Sequence, residues 1–255
     1  MFDASPLSPL EMSVPAADGL VLKGILRYPQ APLGARYPLA VLAHQYPATG
    51  DSFAPLVIDL LALGVATLAF DLRGHGSSIQ SPDGPRVIDT PAGFTLEDFG
   101  TAFMSSARRL DFARIEDDIL RVAAWGAAQN YVDPERIALV GASVGGSGVL
   151  LAAPSVTGLR AVVTFGAAGA PVFPDGPARI RASVERLRTV PFLLTSSEQD
   201  AFDGAANVRA WSDGLAHASP RIVPGSAHAM AIYYEVRDEV VPMLTRALGV
   251  ERRRG

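Results

Sequence analysis

Short apolar runs alternate along this chain with segments of helical spacing. Residues 12–14 and 20–26 flank Pro15-Ala16-Ala17-Asp18-Gly19 and predict two strands joined by a tight turn. Residues 38–43 are apolar throughout, as a strand buried on both faces requires. Similar or weaker runs follow at 65–70, 137–140, 159–165, 192–195 and 221–223. Between them, 53–63 reads as a helix ending at Gly64, a natural stop. Residues 114–129 place Ile115, Ile119, Val122 and Ala123 on one stripe, with Glu116, Asp117 and Asp118 near the start, where the helix dipole favours acids. Segments 208–215 and 229–248 complete the helical set, the last with a break expected at Pro242. The pattern predicts an α/β fold. It is a mostly parallel, twisted sheet of about eight strands with an N-terminal antiparallel hairpin and helices on both faces. In such sheets reacting groups gather beyond the C-terminal strand ends.

Those ends carry chemistry. After the run 137–140 comes Gly141-Ala142-Ser143-Val144-Gly145-Gly146, leading into the small-residue segment 147–153. This is G-x-S-x-G between a strand and a helix, the setting in which a serine stands exposed on a sharp turn and small neighbours let strand and helix approach closely. A serine hydroxyl needs a general base, and the chain has four histidines: His44, His75, His217 and His228. His44 and His75 precede the serine and read as residues bracing the loops around it. His217 follows the 208–215 helix, where its C-terminal end favours an imidazole. His228 stands just past the final strand at the start of the final helix and is the candidate base. The orienting carboxylate is sought in Ser196-Ser197-Glu198-Gln199-Asp200-Ala201-Phe202-Asp203, after the 192–195 strand. Asp200 is favoured, since one helix and one strand fit between it and His228; Glu198 and Asp203 are the alternatives.

Composition narrows the choice. The chain has 255 residues, 49% of them hydrophobic and 19% charged, which excludes disorder as a description of the whole. A net charge of −4 gives no basic footprint for nucleic acid, and Arg252, Arg253 and Arg254 read as part of a solvated, frayed tail over 249–255. The absence of cysteine removes disulfide scaffolds, thiolate metal sites and cysteine nucleophiles together. No basic-then-apolar leader is visible in the first ten residues, and the apolar stretch 56–70, interrupted by Asp59 and Gly64, falls short of a membrane span. A cytoplasmic protein is expected, although a secreted form already processed would read the same. Residues 1–255 read as one domain. Its long excursion over 77–111, containing Phe94, Phe99 and Phe103, shows no strand signal and reads either as a small flap over a pocket or as a packed surface excursion.

With the serine, acid and histidine in that chain order, residues 12–248 resemble the α/β-hydrolase family. Asp71-Leu72-Arg73-Gly74-His75-Gly76-Ser77 resembles its Asp-x-Arg-Gly-His-Gly-x-Ser loop, and Ser197-Glu198-Gln199-Asp200 its Gly-x-x-Asp pattern with serine for glycine. The nearest likeness is to compact serine esterases and dienelactone-hydrolase-like proteins, with serine where true dienelactone hydrolases use cysteine. The resemblance implies an oxyanion hole made by the backbone N–H groups of Val144 and Tyr46. His44-Gln45-Tyr46-Pro47 lacks the usual glycine, which makes Gln45 the alternative donor; Ala142 stands where many relatives carry histidine. A serine elbow argues against epoxide and carbon–halogen hydrolysis, and about 25 residues between 165 and 191 leave no room for a large cap domain. What it implies is an ester hydrolase working through an acyl-enzyme on a small-molecule substrate, with no metal or organic cofactor, as a monomer or weak homodimer. Thioesterase, lactonase, amidase or peptidase chemistry on the same residues is the alternative, and a non-catalytic ligand receptor or scaffold the rival from another class.

Overall fold

The computed structural model of the chain describes residues 7–30 and 36–250. The arginines at 252–254 and the first six residues lie outside the described residues. Strands β1 (Leu10–Pro15) and β2 (Val21–Arg27) form the expected hairpin, turning at Gly19, whose φ of +81° suits glycine. The other strands are β3 (Tyr37–Ala43), β4 (Ala66–Phe70), β5 (Val132–Ala142), β6 (Leu159–Phe165), β7 (Phe192–Ser197) and β8 (Ala218–Val223). They form one sheet in the order β1-β2-β4-β3-β5-β6-β7-β8, parallel from β4 to β8 and antiparallel where β2 meets β1 and β4.

Helices cover both faces. α1 (Ala54–Ala62) and α7 (Tyr233–Ala247) lie on one; α3 (Ile115–Ala127), α4 (Val144–Ala152), α5 (Gly176–Arg186) and α6 (Gly204–Ser212) lie on the other. The period of two along β3 shows why both faces need cover. Leu39, Val41 and Ala43 join Ile115, Ile119 and Val122 of α3, while Ala40 and Leu42 join Leu56 and Leu60 of α1 and Val236, Val240 and Leu244 of α7. Gly64 ends the α1 segment at a φ of +89°.

Four expectations need correcting. α7 runs unbroken through Pro242. Asp118 does more than favour the α3 dipole: it is wholly buried and meets the Arg73 guanidinium through Nε at 2.7 Å and Nη2 at 2.9 Å. β8 begins at Ala218 despite Pro220, which an edge strand tolerates because no further strand needs its missing N–H. The excursion after β4 contains a 14-residue helix, α2 (Leu96–Arg109). Thr95 caps it: its hydroxyl accepts the Asp98 N–H at 3.1 Å while the Asp98 carboxylate accepts the Thr95 N–H at 3.3 Å. One α-helix, α5, and a short 3-10 turn at Ala170–Val172 fill the span between β6 and β7, and no large cap domain is present among the described residues. No described helix is long and apolar enough to cross a membrane.

Candidate active site

Ser143 sits between β5 and α4 with φ +50° and ψ −122°, a backbone region that costs a non-glycine residue strain. The surrounding glycines show what holds it there. A Cβ on Gly141 would lie 2.5 Å from the Gly145 carbonyl oxygen, and one on Gly145 would lie 2.3 Å from that of Ala43. A Cβ on Gly146 would meet the Ala167 side chain at 2.9 Å. The elbow is therefore wedged between the ends of β3 and β6, closer than any side chain permits. Backbone bonds lock it: Ser143 N–H donates to the Phe165 carbonyl at 3.0 Å, and the Ser143 carbonyl accepts from Ser147 and Ala168, both at 3.1 Å. The Val144 N–H opens α4, where the first amides of a helix have no intrahelical partner and carry its positive end.

The next strand ends supply an acid and a base in contact. The His228 Nδ1 lies 3.0 Å from Asp200 Oδ1 and 2.9 Å from Oδ2. Asp200 is held before the imidazole arrives: Oδ1 accepts the Phe202 N–H at 2.9 Å and Oδ2 the Ser196 hydroxyl at 3.2 Å. Its carboxylate is fully buried, whereas the His228 side chain keeps 21% exposure. Glu198 and Asp203, the alternative acids, are both exposed. The two loops are tied by Gln199 N–H to the Gly225 carbonyl at 2.9 Å and by the Ser197 hydroxyl to the Ala227 carbonyl at 2.6 Å. Gly166, at φ +54°, is the hinge between serine and pair. The preceding Phe165 carbonyl receives Ser143, and a Cβ on Gly166 would stand 3.0 Å from Asp200 Oδ2 and 3.0 Å from His228 Nδ1. A side chain here would push into the pair.

The other three histidines make their contacts elsewhere. His44 accepts the Leu72 N–H on Nε2 at 2.9 Å, so its Nδ1–H donates to the Gln45 carbonyl at 2.8 Å. Complete burial, with His75 alongside, holds its pKa down at about 3. His75 points Nδ1 at the Arg73 carbonyl at 3.0 Å, and burial lowers its pKa to about 4. His217 braces a different helix from the one expected: its Nε2 donates to the carbonyl of Val184 in the last turn of α5 at 2.7 Å, with the ring against Phe192.

The chain order hid the wall of the site. Tyr46 is buried after β3, with ring centroids 5.3 Å from Phe99 and 5.4 Å from Phe103 of α2. Phe99 in turn packs on Phe202 at 5.4 Å, and Phe202 on the His228 imidazole at 4.5 Å. Phe103 reaches the elbow itself, since a Cβ on Gly169 would lie 3.2 Å from its Cζ and 3.5 Å from the Val144 Cβ. One signal for α2 was legible, the Thr95-x-x-Asp98 capping box with acids in its first turn and Arg108 and Arg109 in its last. Phe202 had no such signal; it became visible only with Asp200 beside His228. No group of three or more His, Cys, Asp or Glu side chains among the described residues could hold a metal ion.

Comparison with known proteins agrees with this architecture. The model of the alpha/beta hydrolase family matches residues 31–249, and the chain belongs to that family. It is similar to an uncharacterised 31.7 kDa protein of the traX-finO intergenic region of Escherichia coli, 27% identical over 161 residues. That match covers 63% of this chain and 46% of the relative, so the chain spans about half the length of the curated protein it matches. Among solved structures, the dienelactone hydrolase of Anabaena variabilis is similar over 96% of this chain and 97% of its own, with 19% identity and a TM-score of 0.57. An esterase of Pyrococcus furiosus is similar over 95% and 92%, with 14% identity and a TM-score of 0.62. These likenesses concern the fold.

Proposed function

We propose that the protein is a serine hydrolase that cleaves carboxylic esters through an acyl-enzyme, with Ser143 as nucleophile, His228 as base and Asp200 as the orienting acid. Support comes above all from one juxtaposition: a serine on a left-handed elbow, one peptide away from a hydrogen-bonded carboxylate–imidazole pair. Asp200 engages Nδ1, which leaves His228 Nε2 as the basic nitrogen. Ser143 Oγ attacks the ester carbonyl carbon as its proton passes to Nε2, and the oxyanion is received by the N–H groups of Val144 and Tyr46. The C–O bond to the alcohol then breaks, with Nε2 returning the proton to the departing oxygen. Water, deprotonated by the same nitrogen, attacks the acyl carbon and frees Ser143 and the carboxylic acid.

The family and its esterase-type neighbours agree with ester chemistry. The aromatic wall of Tyr46, Phe99, Phe103 and Phe202 suits a small apolar ester, and we read residues 77–111 as a flap over the site. Purified wild type is expected to hydrolyse short p-nitrophenyl esters and to take a fluorophosphonate label, and Ser143→Ala to lose both. Activity retained in Ser143→Ala would sink the proposal, and a panel with acyl-CoAs, lactones and aminoacyl amides separates esters from the other acyl chemistries.

A further inference from the structure

The side chain of Tyr46 is tied to the excursion on several sides. Its phenolic O–H donates to the Asp89 backbone carbonyl. Asp89 is gripped in turn by α2, its N–H donating to the Ser106 hydroxyl at 2.8 Å. The neighbouring Val87 carbonyl accepts from Arg109 at 2.6 Å, and Ile88 N–H donates to the Gly74 carbonyl at 2.9 Å. The ring is packed by Phe99 and Phe103 from α2 and by His75 and Phe112 from the other side, at centroid distances of 5.6 and 6.4 Å. Both ends of one residue are thus committed. The amide follows β3 beside the elbow, where Gly145 lies against the Ala43 and His44 carbonyls, and the phenol is sunk into residues 86–89 and α2.

We infer that Tyr46 is a positioning residue through which the excursion sets the oxyanion-binding amide: the phenol–Asp89 bond, braced by Ser106, aims the Tyr46 N–H at the developing oxyanion. This rests on the acyl-enzyme reading above. An amide aimed at the oxyanion acts on the transition state more than on the bound ester, so its misplacement lowers kcat and leaves KM nearly unchanged. A tyrosine that merely fills the core would affect stability alone.

The test uses the full chain with a short p-nitrophenyl ester and a trifluoromethyl ketone, which forms a tetrahedral oxyanion on the serine. Tyr46→Phe keeps the ring and removes the donor. It is expected to lower kcat roughly 10- to 100-fold, with KM within about twofold and ketone affinity weakened in step with kcat. Ser106→Ala, which removes the hydroxyl that accepts the Asp89 N–H and stands within hydrogen-bond reach of the Tyr46 phenol, is expected to act in the same direction, and the double variant to be no worse than Tyr46→Phe alone. Wild-type kcat and ketone affinity in Tyr46→Phe would overturn the inference, as would a loss confined to KM or strictly additive effects. Should Tyr46→Phe fail to fold, Ser106→Ala decides: reduced kcat with weaker ketone binding supports the inference, and wild-type values overturn it. Ser143→Ala separates the two levels. If it is inactive while Tyr46→Phe is normal, only the positioning role falls; if it is fully active, both fall.

Discussion

Asp200 shows how one side chain is chosen from an acidic stretch. Glu198, Asp200 and Asp203 are chemically near-equivalent in the chain, and spacing favoured Asp200 without excluding the others. Folding separates them through groups that no motif announces: the Phe202 N–H and the Ser196 hydroxyl hold the Asp200 carboxylate, buried, against His228, while its neighbours face solvent. Asp200→Asn keeps the volume and removes the charge, and its amide presents the wrong hydrogen-bond pattern to Nδ1. It is expected to lower kcat by roughly 10,000-fold with an unchanged urea midpoint, measured on the same ester as wild type. Ser143 was easier to read, because the elbow demands glycine at fixed places and those glycines are explained by backbone atoms within 3 Å of a would-be Cβ. Tyr46 lies between these cases. Its position in the loop after β3 was legible, but the partners of its phenol, more than forty residues away, were not.

At the scale of elements, the regular strands and helices were legible where burial imposed a period. The α3 stripe of Ile115, Ile119, Val122 and Ala123 is buried as its spacing predicts. α2 was missed for a physical reason. Phe94 and Leu96 are exposed at its start, Gly100 sits in its interior, and Ala102, Ser106 and Ala107 make a thin buried stripe that a search for large apolar residues overlooks. Its aromatic residues face the site instead. Phe103→Ala is expected to destabilise the protein by about 2 kcal/mol, less than a fully buried phenylalanine would cost. It is also expected to raise KM about tenfold for esters with apolar acyl chains while sparing acetate esters. A chain-length series with a thermal melt checks both. A shift in melting with unchanged kinetics would make the excursion a packing element rather than a flap.

For the molecule as a whole, burial of charge and of neutral histidine links the loop after β4 to the rest of the fold. The guanidinium of Arg73 bridges Asp118 of α3, the Leu110 carbonyl at 2.8 Å and Asp18 of the hairpin turn at 3.2 Å, so hairpin, loop and helix depend on one side chain. Beside it, His44 and His75 are held neutral in the fold, with pKa values of about 3 and about 4 against 6.5 for an ordinary imidazole. The unfolded chain binds protons that the folded chain refuses. The stabilisation is therefore complete above pH 6.5 and is lost as pH falls toward 4. The urea midpoint is expected to drop between about pH 7 and pH 5, and to drop less in His75→Gln, which removes one of the two buried imidazoles. Equal slopes in both proteins would refute the assignment.

The Tyr46–Asp89 bond has a consequence for how such a protein diversifies. Ser143, Asp200 and His228 all come from strand ends at β5 and beyond, whereas the aromatic cover over Tyr46 comes from a single insertion between β4 and α3. On the acyl-enzyme reading proposed above, recognition could then drift, or be transplanted, as a cassette while the chemistry stays in place. The cassette is not free, however. The phenol is one of its ties to the rest of the fold, beside the Arg86–Asp18 ion pair and the Val21 N–H bond to the Gln80 carbonyl, so a replacement that offers no carbonyl where Asp89 does is expected to change residue 46 along with it.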